Sequence, residues 1–137
     1  MLKVDRFWAA RGEHAYAFAS LLATRAHLAF GSDSPVETMD PLAGLHAAVT
    51  RRNAAGKPRE GWYPNQRISL EAALTAYTSG CAHAVGEEAA FGCIAPNYAA
   101  DFVLLSEDPL TLDDPMRILD CRADLTAVAG EVVFDRR

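Results

Sequence analysis

A single apolar run stands between two stretches of helical pattern. His27-Leu28-Ala29-Phe30 is long enough for a short strand and stops at Gly31. A strand carries N–H and C=O groups along both edges, and buried groups of this kind need partners. One strand among helices therefore does not close a layered core. The run must lie at a subunit interface or belong to a larger sheet, so the sequence reads as part of a larger structure.

The flanking pattern supports an α/β assignment. Residues 11–25, RGEHAYAFASLLATR, read as one amphipathic helix, with Tyr16, Phe18, Leu21, Leu22 and Arg25 near helical spacing. Residues 41–52 read as a second, with Asp40 as N-cap, Pro41 in the first helical position and Leu42, Leu45, Ala48 and Val49 on one face. Residues 53–67 hold two Gly and two Pro and read as an irregular excursion. From Ser69 to Gly86 the pattern is helical again, with Ser69 as N-cap, Leu70, Ala73, Leu74 and Tyr77 inward, and a break expected at Ser79-Gly80. The character then changes. DFVLLS at 101–106 is a strand candidate, and LTAVAGEVVFD at 125–135 reads as a hairpin turning at Gly130-Glu131.

The bulk numbers bound the function. The 137 residues are 50% hydrophobic and 23% charged, a globular composition. A formal charge of −5 argues against nucleic acid, since Arg51 and Arg52 make a pair rather than a basic surface. Cys81, Cys93 and Cys121 are odd in number and form no C-x-x-C, which points to a reduced, cytoplasmic setting. No stretch approaches the roughly 18 apolar residues of a membrane span, and the first 14 residues lack a secretory apolar core. No membrane association is expected.

After the apolar run comes Gly31-Ser32-Asp33-Ser34-Pro35. Two readings of Asp33 stand. It is a local device, an Asx turn or helix N-cap that accepts backbone N–H groups. Or it is a catalytic carboxylate at the C-terminal end of a strand. The turn alone favours the local device.

Several stretches in order resemble the amidohydrolase superfamily, in particular the YtcJ-like branch of amidohydrolase family 3: YAFASLL, LAFGSDSPVETMDPLAGLHAAVTRR, GWYPNQRISLEAALTAYTSG, AVGEE, GCIAPNYAADFVLLSEDPL and TAVAGEVVF. Together they run from Glu13 to Asp135. The resemblance implies the C-terminal part of a metal-dependent (β/α)8 TIM barrel plus the C-terminal half of a small β-sandwich. Residues 1–89 would be the barrel segment and 90–137 the sandwich segment. Within them, 11–25 would be the seventh barrel helix, 27–30 the eighth strand, and 40–52 and 69–86 the helical closure.

On the same footing, Asp33 is the acid at the end of the last barrel strand. There it faces a divalent metal, zinc first among candidates, and takes a proton from the attacking water. The implied reaction is hydrolysis of a non-peptide C–N bond in a small amide-type substrate. Two local departures stand out: Ser34 occupies a position where the family usually has Trp, and Pro96-Asn97-Tyr98 replaces Pro-Gly-Lys. Asn tolerates a left-handed turn, so the second change is compatible with the fold.

The rest of such a site has no counterpart here. A (β/α)8 barrel needs about 250 residues, and a catalytic zinc about three protein ligands. The family's His-x-His is missing, and His14, His27, His46 and His83 read as surface or packing residues. This chain alone is therefore expected to hold no metal site and to be inactive. Alternatives are a non-catalytic remnant, a module that oligomerises through unpaired strand edges, or one chain of a split hydrolase. Trp62, Tyr63 and Pro64 suit either a pocket rim or, the expected role, packing of the sandwich against the barrel.

Overall fold

The computed structural model describes residues 2–137; Met1, the first residue of the expected barrel segment, lies outside the described residues. The chain opens with α1 (Leu2–Trp8), a 3-10 turn (Ala9–His14) and α2 (Phe18–Ala23). It continues through α3 (Pro41–Thr50), a 3-10 turn (Pro64–Gln66), α4 (Leu70–Tyr77) and α5 (Ser79–Ala84). The last third holds β1 (Phe102–Leu105), two 3-10 turns (Pro109–Thr111 and Pro115–Asp120), β2 (Ala123–Val128) and β3 (Glu131–Asp135). The three strands form one antiparallel sheet in the order β1-β2-β3. Phe102 lies opposite Ala127, and Thr126 opposite Phe134.

The caps fall where the side chains can make them. The Asp40 carboxylate accepts from Leu42 N at 2.9 Å and opens α3, with Pro41 supplying a pre-set φ. Ser69 Oγ accepts from Ala72 N and opens α4. The hairpin turns on Ala129-Gly130, both at positive φ, and Glu131 already belongs to β3. Asn97 takes a left-handed φ of 69°.

Two sequence expectations need correction. Residues 11–25 are not one helix: Tyr16 sits at φ 53° and interrupts it, so a 3-10 turn and a short α2 share the span. The alanines fit a helix at every position, and nothing in their spacing marks the break. Between α4 and α5 the chain breaks at Thr78, one residue before the expected Ser79-Gly80.

Residues 27–30 lie in no sheet among the described residues. Phe30 N donates instead to Ala76 O at 2.9 Å, and Phe30 O accepts the Cys81 thiol at 3.1 Å. The strand candidate in DFVLLS pairs with β2 and leaves the earlier run to the helices. An apolar tetrapeptide supplies extended backbone, but only a neighbouring strand makes it part of a sheet.

The core joins both ends of the chain. Leu42, Leu45 and Ala48 of α3 pack with Ile68, Ala73 of α4, Ile118 and Cys121. Ile118 enters from the 3-10 turn before β2, and Leu105 of β1 packs on the same cluster. The segments on either side of residue 90 thus share one apolar centre. The Phe30 ring bridges Phe18, at a centroid distance of 4.8 Å, and Tyr77, at 5.4 Å.

Candidate functional site

Asp33 closes the extended run at φ 54°, in the left-handed region that Asp adopts more readily than bulky residues. Its carbonyl accepts from Val36 N at 2.8 Å, and Ser32 Oγ accepts from Ser34 N at 3.3 Å. The turn is therefore held by the Asp33 backbone and the Ser32 hydroxyl. The Asp33 side chain is exposed and, among the described residues, makes no hydrogen bond or ion pair. The helix-capping work falls to Asp40. Of the two readings of Asp33, the local one has no bond to rest on.

Beside this turn opens a cavity of about 450 Å³. Gly31 and Ser32 form part of its wall, with Phe18, Phe30, Trp62 and Tyr77. Trp62 Nε1 donates to the Asp5 carboxylate at 2.8 Å, and its ring lies edge-on to Tyr16 and Tyr63. This corrects the expectation that the loop aromatics pack against the β-rich end. Their partners lie on the N-terminal helical side, and Trp62 helps to line the cavity. The irregular loop folds back along the end of α3, where Trp62 N donates to Arg51 O.

Arg51 was the residue that composition could not single out. It sits at φ 57°, the αL residue that closes α3, and only 7% of its surface is exposed. Its Nε donates to Trp62 O at 2.9 Å and Nη1 to Tyr16 O at 3.2 Å. Burial pulls its pKa below the ordinary value, while Tyr16 opposes that shift. A two-residue Arg-Arg sequence says nothing about which side chain will be buried.

The histidines take the packing and surface roles expected of them. His46 is 2% exposed, with Nε2 3.3 Å from Thr50 Oγ1 and 3.2 Å from Met116 Sδ. His14 is exposed beside Glu13. The His27 and His83 rings stack at 4.1 Å, a pairing invisible in the sequence, and His83 Nδ1 lies 3.7 Å from Glu88. Among the described residues no three of His, Cys, Asp and Glu come together in a group that could hold a metal ion. A site of about three protein ligands does not fit the side chains of this chain taken alone. Nor is any described helix long and apolar enough to cross a membrane.

A helical layer with the Asp33 turn on its surface is joined to a small three-stranded antiparallel sheet. Comparison with known proteins gives the class. A profile of the amidohydrolase family, family 3, matches residues 2–134, and the chain belongs to that family. The amidohydrolase YtcJ of Bacillus subtilis (strain 168) is 31% identical over 133 residues, covering 97% of this chain and 25% of the relative. Protein LONG AFTER FAR-RED 3 of Arabidopsis thaliana is 40% identical over 122 residues, covering 89% of this chain and 20% of its own length. N-substituted formamide deformylase of Arthrobacter pascens is 32% identical over 91 residues, covering 66% of this chain and 16% of the enzyme.

The fold matches as well. A crystal structure of an amidohydrolase from Thermotoga maritima MSB8 superposes with a TM-score of 0.62 at 24% identity, over 88% of this chain and 26% of the other. The chain thus spans about a quarter or less of the length of the curated relatives it matches. The family it belongs to is generally metal-dependent.

Proposed function

We propose that this chain supplies the C-terminal part of a metal-dependent amidohydrolase. Its helical portion corresponds to the last helix–strand–helix units of a (β/α)8 barrel, and its three strands to half of a small sandwich. The complete protein hydrolyses a non-peptide C–N bond of amide type in the cytoplasm. The formamide deformylase relative favours that bond class, since its name describes removal of a formyl group from nitrogen.

One observation carries the reading. Asp33 presents a carboxylate that no neighbour engages, on a turn that other groups hold in place. A carboxylate free of structural duty at the end of the extended run can accept the proton of an attacking water. The metal, zinc first among candidates, and its remaining ligands belong to residues outside this chain. Taken alone the chain is inactive.

The coding sequence upstream of the Met1 codon is the test. The proposal expects an open frame reading through a His-x-His strand and the rest of a barrel. In that longer protein Asp33→Asn should lower kcat by about 10²–10⁴-fold with folding unchanged. Stop codons throughout that frame, with no second chain that restores hydrolysis on mixing, would overturn it.

A second reading has its own observation: among the described residues both outer strands of the sheet are unpaired on one side, and β3 is exposed along its length. An oligomerising or chain-complementing module would use these edges. The split-enzyme arm of the same experiment separates it from the first reading.

A further inference from the structure

The cavity beside the Asp33 turn contains a polar arrangement that hydrolysis at Asp33 does not use. Arg51 lines it with a side chain more than nine-tenths buried. Two of its guanidinium nitrogens are spent on the carbonyls of Trp62 and Tyr16. The third, Nη2, is buried and has no partner among the described residues. The neighbouring Arg52 lines the same cavity, and its buried Nε is likewise unpartnered. A buried cationic donor left without an acceptor is costly, because it loses its hydration and gains nothing in return.

Among the described residues no acid fills the gap. Glu37 and Asp40 also line the cavity, but neither forms an ion pair with Arg51 or Arg52 among the described residues. Aromatic faces surround the guanidinium instead. Its central carbon lies 5.0 Å from the Trp62 ring centroid and 5.8 Å from that of Phe18. Such faces stabilise the cation without using its N–H groups. Arg51 Nη2 therefore keeps an unused donor, itself buried, for an acceptor that the side chain must shift to meet.

We propose that this cavity binds a small carboxylic acid with an aromatic or similarly apolar body, its carboxylate taking the unused donors of Arg51 and Arg52. Charge and shape select that class. A guanidinium N–H forms a charge-assisted hydrogen bond with a carboxylate oxygen. A phosphate dianion would bring a second negative charge close to Glu37 and Asp40, so a monoanion is favoured. The apolar body rests on Phe18, Phe30, Trp62 and Tyr77, and about 450 Å³ lies within the usual range for small-molecule sites. Reaching Nη2 takes a rotation of the guanidinium or of the Trp62 ring, so Trp62 reports occupancy. The inference does not rest on the role proposed for Asp33.

The experiment titrates the chain with 3-phenylpropanoate, following Trp62 fluorescence in a Trp8→Phe background and heat by calorimetry. The neutral 3-phenylpropanamide and inorganic phosphate serve as comparison ligands. Arg51 also ties Tyr16 and Trp62 together, so its replacement would confound folding with binding. Two other variants avoid this: Arg52→Gln, and Ala47→Trp, which places bulk from an exposed position of α3 into the cavity. The expected result is one saturable site for the acid, at least about tenfold weaker binding of the amide and of phosphate, a further loss of about tenfold in Arg52→Gln, and no binding in folded Ala47→Trp. Equal binding of acid and amide, preference for phosphate, or no saturation up to about 10 mM would overturn it. Retention of full affinity in Ala47→Trp would do the same.

Discussion

His46 shows how burial sets the chemistry of a single side chain here. Its imidazole lies in the core between Thr50 and Met116. Burial first, and then the Arg52 guanidinium, pull its pKa below the ordinary 6.5, against the opposing pull of Asp114. The folded chain therefore resists a proton that the unfolded chain takes up below about pH 6.5. This contribution to stability is complete above that pH and is lost as the pH falls through and beneath it. The urea midpoint should drop between about pH 7.5 and about pH 5.5, and should drop less in His46→Gln. An identical pH dependence in the two proteins would remove His46 as the cause.

Individual residues were unevenly legible. Asp40, Ser69 and the inward face of α3 follow from capping and helical spacing, which act within a few residues. The burial of Arg51 and the His27–His83 stack depend on chain segments far apart in sequence, and no local pattern encodes them. Asp33 stood between a local and a catalytic reading. The bonds around it, made by Ser32 Oγ and by its own carbonyl, leave its carboxylate without a structural task.

Elements were read well where their stabilisation is local. α3 and the β2–β3 hairpin fall close to expectation because a cap, a proline or a Gly-containing turn marks each boundary. The 27–30 run has helices for neighbours within this chain, and no strand pairs with it among the described residues. Gly80 is the point of contact. A Cβ there would run into the Leu28 carbonyl oxygen and would stand 3.0 Å from Thr75 O. Only the absence of a side chain lets α5 lie so close to the extended run. Gly80→Ala should therefore cost about 1–3 kcal/mol, measured by urea unfolding, because backbone must move rather than a flexible side chain. Unchanged stability would mean that the run is not seated on α5 in this way. Gly44→Ala meets the end of the Tyr77 side chain instead, which can shift.

At the scale of the molecule, one apolar cluster ties the helical layer to the chain around Ile118, while the sheet beyond it is thinly covered. Val132, Val133 and Phe134 of β3 are exposed, Val133 to 62%, and among the described residues both outer edges of the sheet are open. Open, apolar edge strands invite pairing with another chain. Sedimentation velocity should show concentration-dependent association, reduced in Val133→Lys. A chain that stays monomeric at every concentration would speak against edge pairing. Such a surface also suits a chain spanning a quarter or less of the length of its relatives. The family was legible because ordered sequence pieces survive in a partial match, whereas no metal site could be read, because among the described residues no three of His, Cys, Asp and Glu come together.

Zinc titration of the isolated chain, compared with Asp33→Asn, addresses the central claim most directly: this chain carries one carboxylate of a metal site, not the site itself. The account predicts no tight one-to-one binding and no difference between the two proteins, since a single carboxylate falls short of about three ligands. Tight, stoichiometric binding that Asp33→Asn abolishes would contradict it, because the chain would then hold a metal with its own side chains.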